Sequence, residues 1–236
     1  MPNMLDGMTI LAPAPPDKCP ICEKAPHDTT TAKKKKEGEL KSIPANLGCT
    51  PLVPEPSLVA AKLNYTTAAH HLIPARQCLA KFPRLSQMCE AVGYDVNNKQ
   101  NGMSLPTVGQ KEKNVYGGRK YGRLPPEDKM LVSYVIMEET DLQWHVGHHN
   151  WVLLNLDTDG IKHPPNYDKL VKLKLRNIEK NIKQQGKKIC DPDKKEPGKE
   201  VITKLNNESQ SIKGKIESWK KYFVSAFAYD FGKQYR

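Results

Sequence analysis

The sequence predicts a chain of the α+β class: a Pro-rich N-terminal arm at 1–57, a compact mixed core at 58–160 and a basic helical extension at 161–236. Three observations carry this. Prolines at 13, 15, 16, 20, 26, 44, 51, 54 and 56 interrupt every long helix before residue 57, and Lys33 to Lys36 is a solvated charge run. From Ser57 apolar residues recur, first at Leu58, Val59 and Leu63, then at Leu72 and Ile73. Past Pro165, Val171, Leu175, Ile178 and Ile182, and then Ile212, Ile216, Trp219 and Phe223, follow i, i+4, i+7, i+11 spacing with lysines on the opposite faces.

Within the core, Leu79, Phe82, Leu85, Met88 and Val92 have helical spacing. Gly93-Tyr94-Asp95, Asn97, Asn98 and Asn101-Gly102 are turn chemistry, and Met103-Ser104-Leu105 before Pro106 has the length of a small strand only. A strand-turn-strand unit bracketing the Asn-rich loop is therefore expected. Pro125-Pro126-Glu127-Asp128 starts a helix, although the Met130, Leu131, Tyr134, Val135 pattern behind it suits helix or strand. In the extension, two amphipathic helices are expected on either side of a charged Pro/Gly loop from Gly186 to Lys199.

Composition narrows the partners. Of 236 residues 38% are hydrophobic, and the apolar stretch Met130 to Met137 is far short of the roughly 20 residues that cross a bilayer, so no membrane partner is expected. Met1 to Asp17 lacks the basic flank and apolar run of a secretory signal, so export would use another route. Lys and Arg number 37 against 26 acids, a net charge of +11, and Pro165 to Arg236 holds twice as many basic as acidic residues. A polyanion is the natural partner of such a surface, although a merely solvated lysine-rich face has the same composition.

Six cysteines at 19, 22, 49, 78, 89 and 190 are too sparse for a disulfide framework and point to a reducing compartment during folding. Cys19-Pro20-Ile21-Cys22 is a knuckle that offers two thiolates to a structural Zn²⁺, with His27 or Cys49 as completing ligands. An exposed thiol pair and a redox motif are the alternatives. Cys78 and Cys89 lie on an apolar helical face, where small buried side chains are expected.

Two histidine groups carry the chemistry. Ala69-His70-His71-Leu72-Ile73-Pro74 places two imidazoles side by side, and adjacent residues of an extended strand project to opposite sides. One ring can then hold a metal while the other accepts a proton from water, the division that metal-assisted phosphodiester hydrolysis requires. In Trp144-His145-Val146-Gly147-His148-His149, residues 145 and 149 are four apart and would share one face of a helical turn as two ligands of one ion, with His148 as the alternative. Trp144 and Trp151 flank this group as packing residues.

These residues, with Ala68, Gly93-Tyr94-Asp95-Val96-Asn97 and Asn101-Gly102-Met103-Ser104-Leu105-Pro106, resemble the AHH nuclease family of the HNH/endonuclease VII superfamily over roughly residues 58 to 155. The resemblance implies a ββα-metal (HNH-type) nuclease core with His71 as general base and His70, His145 and His149 as ligands of one divalent ion. Mg²⁺, Zn²⁺, Ni²⁺ and Mn²⁺ all suit such a site. Asn101 matches the middle Asn of the pattern and would brace the loop that presents the base. The chain departs from the pattern in a longer interval between Leu105 and His145.

That interval interleaves Lys111, Lys113, Arg119, Lys120 and Arg123 with Tyr116 and Tyr121, and together with Arg76 it is expected to grip nucleic acid, its rings packing on bases or sugars. The resemblance further implies a sequence-non-specific DNA endonuclease acting as an antibacterial toxin, made in the bacterial cytoplasm, delivered through a type VI or similar secretion component or adaptor, and acting in the target-cell cytoplasm. An acidic cognate immunity protein would neutralise it. An RNase of the same fold, or a zinc-stabilised nucleic-acid-binding module without catalysis, is the alternative.

Overall fold

Residues 17–25, 27, 65–107, 119–145, 167–191 and 197–236 are described in a computed structural model. Strand β1 (Thr66–His71) pairs antiparallel with β2 (Gly102–Thr107), His70 opposite Met103 and His71 opposite Gly102. Between the strands lie a 3-10 turn (Leu79–Lys81), helix α1 (Pro83–Val92) and the Asn-rich loop. Pro83 opens α1, where its missing N–H costs nothing, and Gly93 closes it in the left-handed conformation at φ 73°. The loop is thus bracketed by α1 and β2, and the strand expected just before it is β1, on the far side of α1.

Helix α2 (Pro126–Thr140) resolves the ambiguous segment, again from a proline in the first turn. Helices α3 (Tyr167–Ile189), α4 (Pro197–Glu217) and α5 (Ala226–Tyr235) complete the described elements. Helix α3 runs through Gly186, which the sequence places at the start of a loop. Helix α4 stops before Trp219; Trp219 and Lys221 have φ of 55° and 70°, so Trp219 and Phe223 belong to the turn into α5 rather than to an amphipathic stripe. Periodicity alone continued the helix because both aromatics are apolar and correctly spaced. No element was expected at α5, which Ser225 caps by accepting the Ala228 N–H.

The main hydrophobic cluster joins Leu72 and Ile73, just past β1, to Val171 and Leu175 of α3 and Leu205 and Ile212 of α4. The basic helices α3 and α4 therefore bury their apolar stripes in the same core as Leu72 and Ile73, the residues that follow the two histidines, and as Met103 and Leu105 of β2. Cys19 and Ile21 of the N-terminal arm also enter this cluster. A second cluster packs α2 against α5 around Trp144 and Phe231. Among the described residues no helix is long and apolar enough to cross a membrane.

Candidate active site

His70 and His71 are the last two residues of β1, and the strand alternation separates their surroundings. His70 is 2% exposed, with its ring centroid 5.0 Å from that of His145 and 5.2 Å from that of Tyr167, the first residue of α3. The His145 backbone N–H donates to the Pro106 carbonyl at 2.9 Å, so β2 holds the second imidazole beside the first. A nitrogen about 2.0–2.1 Å from an ion places two such ring centroids within roughly 6 Å of each other, so this separation is one that two ligands of a single ion can have. His148 and His149 lie outside the described residues, as does Trp151; Trp144 is fully buried, as expected.

His71 is turned toward Asn97, with 3.0 Å between its Nε2 and Asn97 Oδ1. The amide oxygen can only accept, so Nε2 carries the hydrogen and Nδ1 keeps the lone pair. Burial depresses the His71 pKa below the ordinary imidazole value, while the Asn97 bond and the Asp95 charge work the other way. The ring is therefore neutral near pH 7, the state in which imidazole accepts a proton. Asn97 was not singled out from the sequence, where it reads as one more turn residue.

Asn101 is fully buried, and its side chain is saturated. Oδ1 accepts the Ile73 N–H at 2.8 Å and the Ser209 hydroxyl at 2.9 Å, while Nδ2 donates to the carbonyls of Ile73 at 3.1 Å and Val96 at 2.8 Å. One amide thus ties the segment after His71 to the loop that carries Asn97 and to α4. Tyr167 adds a second tie, its hydroxyl donating to the Leu72 carbonyl at 2.8 Å. Neither Ser209 nor Tyr167 carries a sequence signal, because each reads as an ordinary member of a helix.

The segment that ends in His145 is held from the C-terminus. Buried Gln143 donates through Nε2 to the carbonyls of Ile216 at 2.9 Å and Tyr222 at 3.0 Å and accepts the Val224 N–H at 3.0 Å; the Ser225 hydroxyl donates to the Trp144 carbonyl at 2.6 Å. The basic residues Arg76, Arg119, Lys120 and Arg123 are exposed, whereas Lys111, Lys113 and Tyr116 lie outside the described residues. Tyr121 departs from its expected role as a free stacking ring. It packs on Trp144 at 5.6 Å with its hydroxyl 3.4 Å from the Lys129 carbonyl, because its apolar face is better buried against indole than left in water.

Far from these histidines, Cys19 Sγ lies 4.0 Å from Cys190 Sγ, and Cys22 Sγ lies 3.9 Å from His27 Nε2. Cys190, which carries no motif signal in the sequence, joins the Cys19, Cys22 and His27 group, and Cys49 lies outside the described residues. Cys78 and Cys89 are buried, and desolvation raises both thiols far above the ordinary range, as small core residues require.

A family model described as AHH, a nuclease family of the HNH/ENDO VII superfamily with conserved AHH, matches residues 59–208. The match runs past β2 and α2 through α3 and into α4, ending one residue before Ser209. No match was found among curated proteins or among solved structures.

Proposed function

The chain belongs to the AHH nuclease family of the HNH/ENDO VII superfamily, whose substrate is nucleic acid, and we propose that it is a metal-dependent DNA endonuclease with little sequence preference. The observation that carries this reading is the split at the end of β1: His70 faces His145, while His71 faces Asn97. In this proposal His70, His145 and His149 hold one divalent ion, with His148 as the alternative to His149. The bound ion, Mg²⁺, Mn²⁺, Ni²⁺ or Zn²⁺, would supply positive charge to the scissile phosphate and the departing 3′ oxygen.

His71 takes a proton from the attacking water at Nδ1, the nitrogen that its bond to Asn97 leaves with a lone pair. Asn97 orients the ring, and Asn101 holds the strand end and the Asn97 loop in register. Arg76, Arg119, Lys120 and Arg123, with Lys111 and Lys113, neutralise backbone phosphates, which attracts any sequence and makes cleavage fall steeply with salt. The biological role that fits is an antibacterial toxin delivered by a secretion-system component or adaptor, acting in the target-cell cytoplasm and restrained by an acidic immunity protein that the +11 charge would attract.

The test is digestion of supercoiled plasmid and of total RNA by metal-stripped protein, with each of the four ions restored in turn. Metal-dependent nicking and linearisation of plasmid supports the reading; cleavage of RNA alone replaces it with an RNase of the same fold. Absence of cleavage with every ion, by protein whose fold is intact, removes the catalytic assignment.

A further inference from the structure

We propose that Cys19, Cys22, His27 and Cys190 bind one structural Zn²⁺ that staples the N-terminal knuckle to the end of α3. Cys190 is the residue that follows α3, and its N–H still bonds to the Gly186 carbonyl at 3.0 Å, so its thiol is carried on a rigid helix terminus. The four ligand atoms lie within 4.8 Å of one another although Cys19 and Cys190 are 171 residues apart in sequence. Tetrahedral zinc with bonds of about 2.3 Å to sulfur has ligand–ligand edges of roughly 3.8 Å. The Cys19–Cys190 and Cys22–His27 separations of 4.0 and 3.9 Å fall close to that edge, whereas a disulfide would need about 2.05 Å.

The surroundings are built for this arrangement. His27 Nδ1 lies 3.0 Å from the Ala25 carbonyl, which can only accept, so the hydrogen is on Nδ1 and the Nε2 lone pair points at the thiol group. The knuckle closes on itself through Cys19 N–H to the Lys24 carbonyl at 2.8 Å and Glu23 N–H to the Cys19 carbonyl at 2.9 Å. Gly186 permits the docking: a Cβ there would stand 2.2 Å from the Ile21 carbonyl oxygen and 3.2 Å from Cys22 Cα. Ile21 is 1% exposed beneath that contact. Three thiolates and an imidazole fill four positions with soft ligands and leave none for substrate, the closed pattern of a structural zinc.

The site is distinct from the histidines at β1. Tyr167, which touches His70, begins α3, and Cys190 follows its end, 23 residues away, about 34 Å along the helix. The knuckle precedes the family match at 59–208, whereas Cys190 lies inside it, so the staple joins a segment outside the matched region to a helix within it.

The experiment loads the full metal-free chain with Co²⁺ and reads thiolate-to-cobalt charge transfer, a band that an all-imidazole site does not produce. One equivalent is expected to develop that band with tetrahedral d–d absorption, and one equivalent of Zn²⁺ to displace it. The band should persist in a His70→Ala/His145→Ala variant and in Cys49→Ser, lose intensity in Cys190→Ser, and return in altered form in Cys190→His. No thiolate band in the wild-type chain overturns the proposal without reliance on any variant. A band that survives Cys190→Ser at full intensity, or vanishes in Cys49→Ser, overturns the ligand set.

Discussion

The two ends of α3 gather metal-ligating side chains by opposite means. At its N-terminal end, Tyr167 packs on a histidine that β1 presents beside a second, chemically different histidine, and the two rings are turned to different partners. At its C-terminal end, four donors from two stretches of chain, the knuckle at 19–27 and the residue after α3, lie close to one another. A site that performs chemistry must keep a group out of the metal's grasp; a site that only holds the fold has no such need. On the functions proposed for them, the first end would depend on orientation and protonation and the second on closure.

The sharpest break in that comparison is His71→Ala, expected to lower plasmid cleavage about 10²- to 10⁴-fold, the usual worth of a general base, with the fold retained by circular dichroism. Cleavage that survives unchanged would move the base elsewhere. Asn101→Ala comes next: it leaves the Ile73 N–H, two carbonyls and the Ser209 hydroxyl without their buried partner. At about 1 kcal/mol for each group so stranded, the low end of the usual range, a loss of roughly 4 kcal/mol or more in urea unfolding is expected. A loss below about 1 kcal/mol would mean that water or a repacked side chain replaces the amide.

Gly186→Ala separates the two ends. Its Cβ meets backbone rather than a yielding side chain, so the knuckle must shift, at a cost of about 1–3 kcal/mol in thermal unfolding, with cobalt charge transfer weakened and cleavage per folded molecule unchanged. Equal loss of cleavage would show that the two ends are coupled through α3. Asn97→Ala should leave stability nearly intact and reduce cleavage about tenfold, the worth of one orienting hydrogen bond of about 1.4 kcal/mol, with most of the loss in kcat. Smallest of all is Arg84→Ala, which removes the 2.6 Å pair with Glu23 at the rim of the knuckle. Glu23 is 57% exposed and Arg84 31%, and the bond from Arg84 to the Pro20 carbonyl is long at 3.5 Å, so a loss of no more than about 1 kcal/mol is expected in thermal unfolding.

Much of this architecture is legible in residue order because local physics writes it there. Pro126 announces a helix start, Gly93 the turn that closes a helix, and the Val171 to Ile182 stripe a buried helix face, whereas the run from Leu79 reads as one helix and is instead a 3-10 turn followed by α1 from Pro83. The pairing of His70 with His71 is legible because strand alternation follows from covalent geometry. The course of the chain from Trp219 to Phe223 was not legible: spacing continued a helix that the capture of the Ile216 and Tyr222 carbonyls by Gln143 instead turns aside. Asn97, Ser209, Gln143 and Cys190 were equally silent, since each acquires its partner from a distant part of the chain.

The sequence by itself determined the α+β class, the periodic helices of the basic tail, the two chemically loaded histidine groups and a net positive charge that suits a polyanion. These depend on composition, on neighbours a few residues apart and on resemblance carried by short motifs. Tertiary structure alone decided that the basic helices share the core with Leu72 and Ile73, that Asn97 selects the protonated nitrogen of His71, that residues beyond 208 hold the segment leading into His145, and that Cys190 meets a knuckle 171 residues away. A hydrogen bond or a ligand sphere depends on distance in space, and distance in sequence carries no record of it once packing has folded the chain back on itself.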